Sequence, residues 1–163
     1  MLSFASTLSR NSEAFVIFVT EKYDYRDKNR ILSKDLVQKI DLFIKTLKLK
    51  NKDGEINSID ISDQKKCFII KVKNKYENSY FEEIGGALFT HIKKFKNINS
   101  VDIYADSLNE NKDKIVKFFS EFVFGFNLKS YTFNKYKTLN KEKINKKINF
   151  KIITSHNNKI ENA

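Results

Sequence analysis

The sequence has no proline and no tryptophan, one cysteine, two histidines, four glycines, and arginine only at Arg10, Arg26 and Arg30. A lone thiol, Cys67, excludes a disulfide framework and a thiolate metal cluster. It stands in "KCFIIKVK", whose alternation predicts a strand, so a buried, inert thiol compatible with a reducing cytoplasm is expected. Gly54, Gly85, Gly86 and Gly125 are too few for the glycine-rich loops that wrap a diphosphate. Lysine supplies all but three of the 31 basic residues. The planar guanidinium fork that phosphate and base recognition favours is therefore scarce. With Asn and Ile abundant, this is the bias of an A+T-rich genome. The net charge of +11 is accordingly read first as composition, and second as a surface for nucleic acid, an acidic membrane or an acidic partner.

The standard catalytic signatures are missing too. No G-x-S-x-G, H-E-x-x-H, C-x-x-C, G-x-G-x-x-G or Walker pattern occurs. His91 sits on the flank of an apolar helical stripe, with no histidine or carboxylate four residues away to make a metal pair. His156, in a polar terminus, is assigned no role. Glu82 and Glu83 are adjacent, so on a helix they diverge by roughly 100° and do not face each other as acid and base. From these residues the chain reads as non-catalytic, with no cofactor and no metal site.

What is present is a folding pattern. Hydrophobic residues make 40% and charged residues 31%, the balance of a folded chain, and 163 residues suit one domain. The apolar run near the N-terminus is too short to span a bilayer, so neither a signal peptide nor a membrane span is expected.

Residues 14–20, "AFVIFVT", suit a strand buried on both faces. After a polar loop, Ser33 is placed to cap a helix whose stripe is Leu36, Val37, Ile40, Phe43, Ile44 and Leu47. Residues 55–61 and 66–73 read as a hairpin. The stretch 79–96 puts Phe81, Ile84, Leu88, Ile92 and Phe95 on one helical face, with Ser79 and Glu82 forming a capping box. Gly85 and Gly86 fall inside this helix, each costing about 1 kcal/mol relative to alanine. A close approach of helix to sheet is the expected reason. Residues 100–105 predict a strand and 111–126 a helix through Ile115, Phe118, Phe119, Phe122 and Phe126. Two further strands are expected near 128–133 and 147–154. The alternation predicts an α/β three-layer sandwich, its mixed sheet flanked by helices.

Two blocks carry a resemblance. "GGALFTHIKK", Gly85 to Lys94, resembles a glycine-pair helix. Gly125, Leu128, Tyr131, Phe133, Tyr136, Lys137 and Thr138 make G-x-x-L-x-x-Y-x-F-x-x-Y-K-T. Together they resemble the N-terminal domain of leucyl aminopeptidases of the M17 type, over roughly residues 13–154. The resemblance implies a macro-domain-like fold, with residues 1–12 a flexible N-terminus and 155–163 a polar tail leading towards a catalytic domain. Tyr131, Phe133 and Tyr136 would be packing anchors. The family's catalytic half holds two divalent metals, zinc or manganese, beside an N-T-D-A-E-G-R motif, and no such motif occurs in these residues.

The resemblance thus implies a cytoplasmic, non-catalytic accessory domain. Its partners would be its own catalytic domain and neighbouring subunits of a homo-hexamer, where it supports assembly and active-site access. In some bacterial members it would also bind DNA, and here Lys141, Lys143, Lys146 and Lys147 are the candidate contacts. A macro-type nucleotide site is a third reading. No membrane contact is expected.

Overall fold

The computed structural model describes residues 2–50, 56–75, 79–108, 110, 112–131 and 148–155. In chain order they form β1 (Leu2–Ala5), β2 (Ala14–Val19), α1 (Lys34–Lys50), β3 (Ile56–Ser62), β4 (Lys65–Lys71), α2 (Tyr80–Ile92), β5 (Ser100–Tyr104), α3 (Lys112–Ser130) and β6 (Asn149–Ile153). A short 3-10 turn, Ala105–Ser107, follows β5.

"AFVIFV" is apolar at every position because β2 lies inside the sheet and both of its faces are covered. The strand order is β1-β6-β5-β2-β4-β3. Every pairing is parallel except β3 with β4, which form the expected hairpin in antiparallel register. The sheet is therefore mixed, with its single reversed strand at one edge.

Side chains alternate between two cores. Ala14, Val16 and Phe18 join Phe68, Ile103 and Ile152 beneath α2 and α3. Phe15, Ile17 and Val19 join Cys67, Tyr104 and Ile153 beneath Ile40, Ile44 and Leu47 of α1. One helix on one face and two on the other give the three layers expected. Cys67 is buried, and burial pushes its thiol well above the ordinary range.

Helix ends follow local chemistry. The Ser33 hydroxyl accepts the Leu36 amide at 3.3 Å, the predicted cap. Ser79 behaves differently from the expected capping box. Its backbone is left-handed, at φ 74°, it makes no side-chain cap, and its hydroxyl donates to Glu83 Oε1 at 3.0 Å. A left-handed residue aims its side chain away from the first free amides of the helix, so the box does not form. The helix also ends at Ile92 rather than 96, through turns in which Lys94 and Phe95 donate to the carbonyls of His91 and Ile92.

Two further expectations are corrected. Residues 128–130, read as the start of a strand, continue α3, and the Tyr131 amide still donates to the Asn127 carbonyl at 3.1 Å. Leu2–Ala5, placed in a flexible N-terminus, is an edge strand paired with β6 from Leu2↔Phe150 to Ala5↔Ile153. Its partner lies almost at the other end of the chain, so nothing local signals it.

Candidate functional site

Two glycines of the resemblance, Gly85 and Gly125, lie where helix backbone approaches helix backbone. α2 and α3 run side by side, with Phe81 against Phe118 at 4.5 Å and Phe89 against Phe126 at 5.3 Å between ring centroids. A Cβ on Gly85 would collide with the Phe122 carbonyl oxygen and come within 2.9 Å of its carbon. One on Gly125 would collide with the Glu82 carbonyl oxygen and come within 2.7 Å of Glu82 Cα. Glycine is thus required because helix backbone meets helix backbone. This corrects the expected helix-to-sheet approach. Gly86 differs: a Cβ there would sit 3.6 Å from the Gly125 carbonyl and from Lys129 Cβ, an ordinary contact.

Outside this seam lies a groove of about 920 Å³, its walls including Gly86, Ala87, Thr90 and Leu128. Glu82 and Glu83 stand towards the N-terminal end of α2, His91 and Lys94 towards its C-terminal end. Burial, then the charges of Lys94 and Lys66, hold the His91 imidazole below its ordinary pKa. His91 also packs edge-on against Phe68 at 5.8 Å, which makes it a packing residue on the flank of the core.

At the C-terminal edge of the parallel strands, where open α/β sheets hold ligands, the polar groups face one another. Asp27 accepts hydrogen bonds from the Ile31 amide at 2.8 Å, the Leu32 amide at 3.1 Å and the Tyr104 hydroxyl at 2.8 Å. Asp106 accepts from the Thr154 and Ser155 hydroxyls, both at 2.7 Å, and from the Ser155 amide. The segment between β2 and α1 is tied down over this edge, the Arg26 amide donating to the Ser107 carbonyl at 3.0 Å.

Burial, then the Asp27 hydrogen bond and charge, raise the Tyr104 hydroxyl far above its ordinary pKa. Burial and Asp41 do the same for Tyr25. An unfolded tyrosine ionises near pH 10, so above that pH the native chain holds protons that the unfolded chain has released. Stability present at neutral pH is therefore lost as pH rises past about 10. Urea midpoints at pH 8 and pH 11 should show this fall, and Tyr104→Phe should flatten it.

At the opposite end, Asp102 is buried in mid-sheet and accepts from the Ser9 amide at 2.5 Å and the Ser12 hydroxyl at 3.0 Å. Lys151, its cross-strand neighbour, donates to the Ser9 hydroxyl at 2.7 Å, and Lys65 to the Ser9 carbonyl at 2.8 Å. These charges fasten residues 9–12 onto the sheet. None of them was singled out from the sequence, because their partners are more than 50 positions apart. Among the described residues no group of three His, Cys, Asp or Glu side chains is placed to hold a metal ion, and no helix is long and apolar enough to cross a membrane.

Of the residues that carried the resemblance, Gly85, Gly86, Gly125, Leu128 and Tyr131 lie on α2, on α3 or immediately after it. Gly85 and Gly125 meet in the seam, Gly86 and Leu128 line the groove, and Tyr131 is 72% exposed, so it is no buried anchor here. Phe133, Tyr136, Lys137 and Thr138 lie outside the described residues, as do Lys141, Lys143, Lys146, Lys147 and His156. Phe124 is 58% exposed beside Leu128 at 56%, a pair that only its four-residue spacing would have revealed.

Among curated proteins none matches the sequence. By structure, a mutant of tomato leucine aminopeptidase superposes with a TM-score of 0.66 at 14% identity, covering 94% of this chain and 32% of that one. The chain thus spans about a third of that enzyme's length. The macrodomain of Thermus aquaticus DarG superposes with a TM-score of 0.62 at 13% identity, covering 94% of this chain and 98% of the other. At these identities the likenesses show a shared macro-domain-like fold. The family model for the cytosol aminopeptidase family, N-terminal domain, matches residues 16–140. That stretch begins within β2 and includes the whole glycine seam, and the chain belongs to this family as its N-terminal domain.

Proposed function

We propose that this chain is a non-catalytic accessory domain of a cytoplasmic, metal-dependent leucyl aminopeptidase, supporting the assembly of its subunits and access to its active site. The observation that carries the reading is the family match over residues 16–140, which is specifically to the domain preceding catalysis. The polar clusters at both ends of the sheet support it, since their carboxylates are engaged with the chain's own amides and hydroxyls. In this reading the parent enzyme removes N-terminal leucine-like residues from peptides. Two divalent metals, zinc or manganese, lie in its catalytic domain, where they activate water and polarise the scissile carbonyl. Its assembly is a homo-hexamer.

Light scattering on the full-length enzyme, with and without residues 13–154, tests the accessory role. The shortened protein should assemble into particles of fewer subunits and lose activity while its remaining domain still unfolds cooperatively. An unchanged number of subunits per particle with unchanged turnover would sink the proposal.

Net charge of +11 favours one second reading, a DNA-binding module. Its affinity would fall steeply with salt through counterion release, and no retention of duplex DNA at low salt would end it. A macro-type nucleotide site is disfavoured by the loop tied down across the C-terminal strand edge through Asp27, Tyr104 and Arg26.

A further inference from the structure

The α1 side of the sheet has a second cover besides the helix. β1, β6, β5 and β2 are mutually parallel, so residues 6–13 must run back across the sheet from the end of β1 to the start of β2. Val101, Ile103, Phe150 and Ile152 face α2 and α3, which by strand alternation puts Asp102 and Lys151 on the α1 side, directly opposite each other in the register. The returning segment therefore lies on charged side chains. Every residue of β2 is buried, while none from Ser3 to Asn11 is. Phe4, Ala5 and Leu8 pack only partly against the two cores. What fastens the segment is a set of hydrogen bonds, the Ser9 amide and Ser12 hydroxyl donating to Asp102, Lys151 to the Ser9 hydroxyl and Lys65 to the Ser9 carbonyl. Beside β1, the Thr154 amide donates to the Ala5 carbonyl at 3.0 Å.

We propose that residues 2–12 form a releasable strap, a two-state element that lifts off β6 and the Asp102 face as one unit while the rest of the fold stays closed. Two arguments select this segment. Local opening is cheapest where little apolar surface is uncovered, and here that surface is confined to three half-buried side chains. Lifting also strands no charge. Asp102 regains water with Lys151 already opposite it, whereas a carboxylate left buried without a partner would hold the strap shut. The segment between β2 and α1 lacks this property, because Tyr23 and Leu32 are buried in the core beneath α1.

The bond from Thr154 to Ala5 ties the strap to the place where the chain leaves its last strand. A closed strap fixes that exit, and a lifted one leaves β6 held by β5 alone and its outer edge open. On the accessory-domain reading, on which this consequence rests, the exit leads towards the catalytic domain.

Native-state hydrogen exchange on the 163-residue chain, followed by NMR at a series of low urea concentrations, tests the proposal. The Ser9 and Thr154 amides should share one opening constant, at least about a hundredfold larger than that of the β2 amides and nearly independent of urea, because little surface is uncovered. Ser12→Ala removes one donor from Asp102 and should speed exchange about fivefold at both amides, although Thr154 is almost the whole chain away. The β2 amides should not respond. Protection at Ser9 and Thr154 equal to that of β2, with the same urea dependence, would overturn the proposal, since the segment would then open only when the domain unfolds. So would unequal opening constants, or a response to Ser12→Ala at Ser9 alone, which would mark separate local motions. Exchange is read without substrate or metal, so none of these results touches the aminopeptidase assignment, which rests on hydrolysis.

Discussion

Gly85→Ala should destabilise the domain by about 3 kcal/mol, while Gly86→Ala, one residue away, should stabilise it by about 0.5–1 kcal/mol. Both substitutions gain the helix propensity that alanine holds over glycine, up to about 1 kcal/mol. They differ in what the new methyl meets. At Gly85 it runs into the Phe122 carbonyl oxygen, part of a backbone that no rotamer change can move. The helices must separate, and overpacking of this kind costs about 1–3 kcal/mol before the loss of the aromatic contacts that α2 and α3 share. Gly125→Ala should match Gly85→Ala, since its methyl strikes the Glu82 carbonyl. At Gly86 the neighbours stand at 3.6 Å and nothing has to shift. For a chain of this size 1 kcal/mol moves Tm by about 2–4 °C. Thermal melts should therefore separate the adjacent variants by about 7 °C or more, and equal melting points would contradict the backbone-to-backbone seam.

Phe18→Ala should cost about 4 kcal/mol, the largest loss expected from a single truncation here. Phe18 is wholly buried on the central strand, and its ring meets Phe118, Phe119 and Phe122 edge-on at centroid distances of 5.0, 5.5 and 5.6 Å. Removing a buried phenyl costs about 3–5 kcal/mol through lost transfer energy and the cavity left behind. Each edge-to-face pair adds about 0.5–1.5 kcal/mol beyond its area. The surrounding rings belong to one helix packed on the mixed sheet, so they have little freedom to collapse into the gap. Phe18→Leu should lose less, about 1.5 kcal/mol. Phe124→Ala removes the same side chain from a site 58% exposed and should change the unfolding free energy by no more than about 0.5 kcal/mol. Similar losses at Phe18 and Phe124 would mean that the outward face of α3 is not free in the isolated chain.

These contrasts show which parts of the fold are legible in the sequence. Periodicity marks α1 and the core faces of α2 and α3, since a helix buried on one side must repeat its apolar residues at three and four positions. The hairpin is legible because its strands are neighbours in sequence. β1 is not, for "LSFA" gains its strand geometry only from β6, nearly the whole chain away. The stretch after Leu128 alternates like a strand, yet the helical bond from Tyr131 to Asn127 persists because α3 is already anchored by five buried apolar side chains.

The site divides in the same way. Two glycines inside a helix signal that something approaches closely, and the residues alone do not say whether it is sheet or helix. Gly125 supplies the answer once the fold brings it to Glu82. The clusters around Asp27, Asp102 and Asp106 have no sequence signature at all, because each joins side chains and amides from separate strand ends. The family pattern is legible in Gly85, Gly125 and Leu128, the same residues that the structure gathers at the seam and beside it.

The most direct measurement is hydrolysis of leucine-p-nitroanilide with added Mn²⁺ or Zn²⁺, by this chain and by the longer enzyme proposed to contain it. The account predicts turnover by the full-length enzyme alone, abolished by chelator, with this chain inactive at every metal concentration. Metal-dependent turnover by the 163 residues themselves would contradict it, as would a full-length enzyme that leaves the substrate intact.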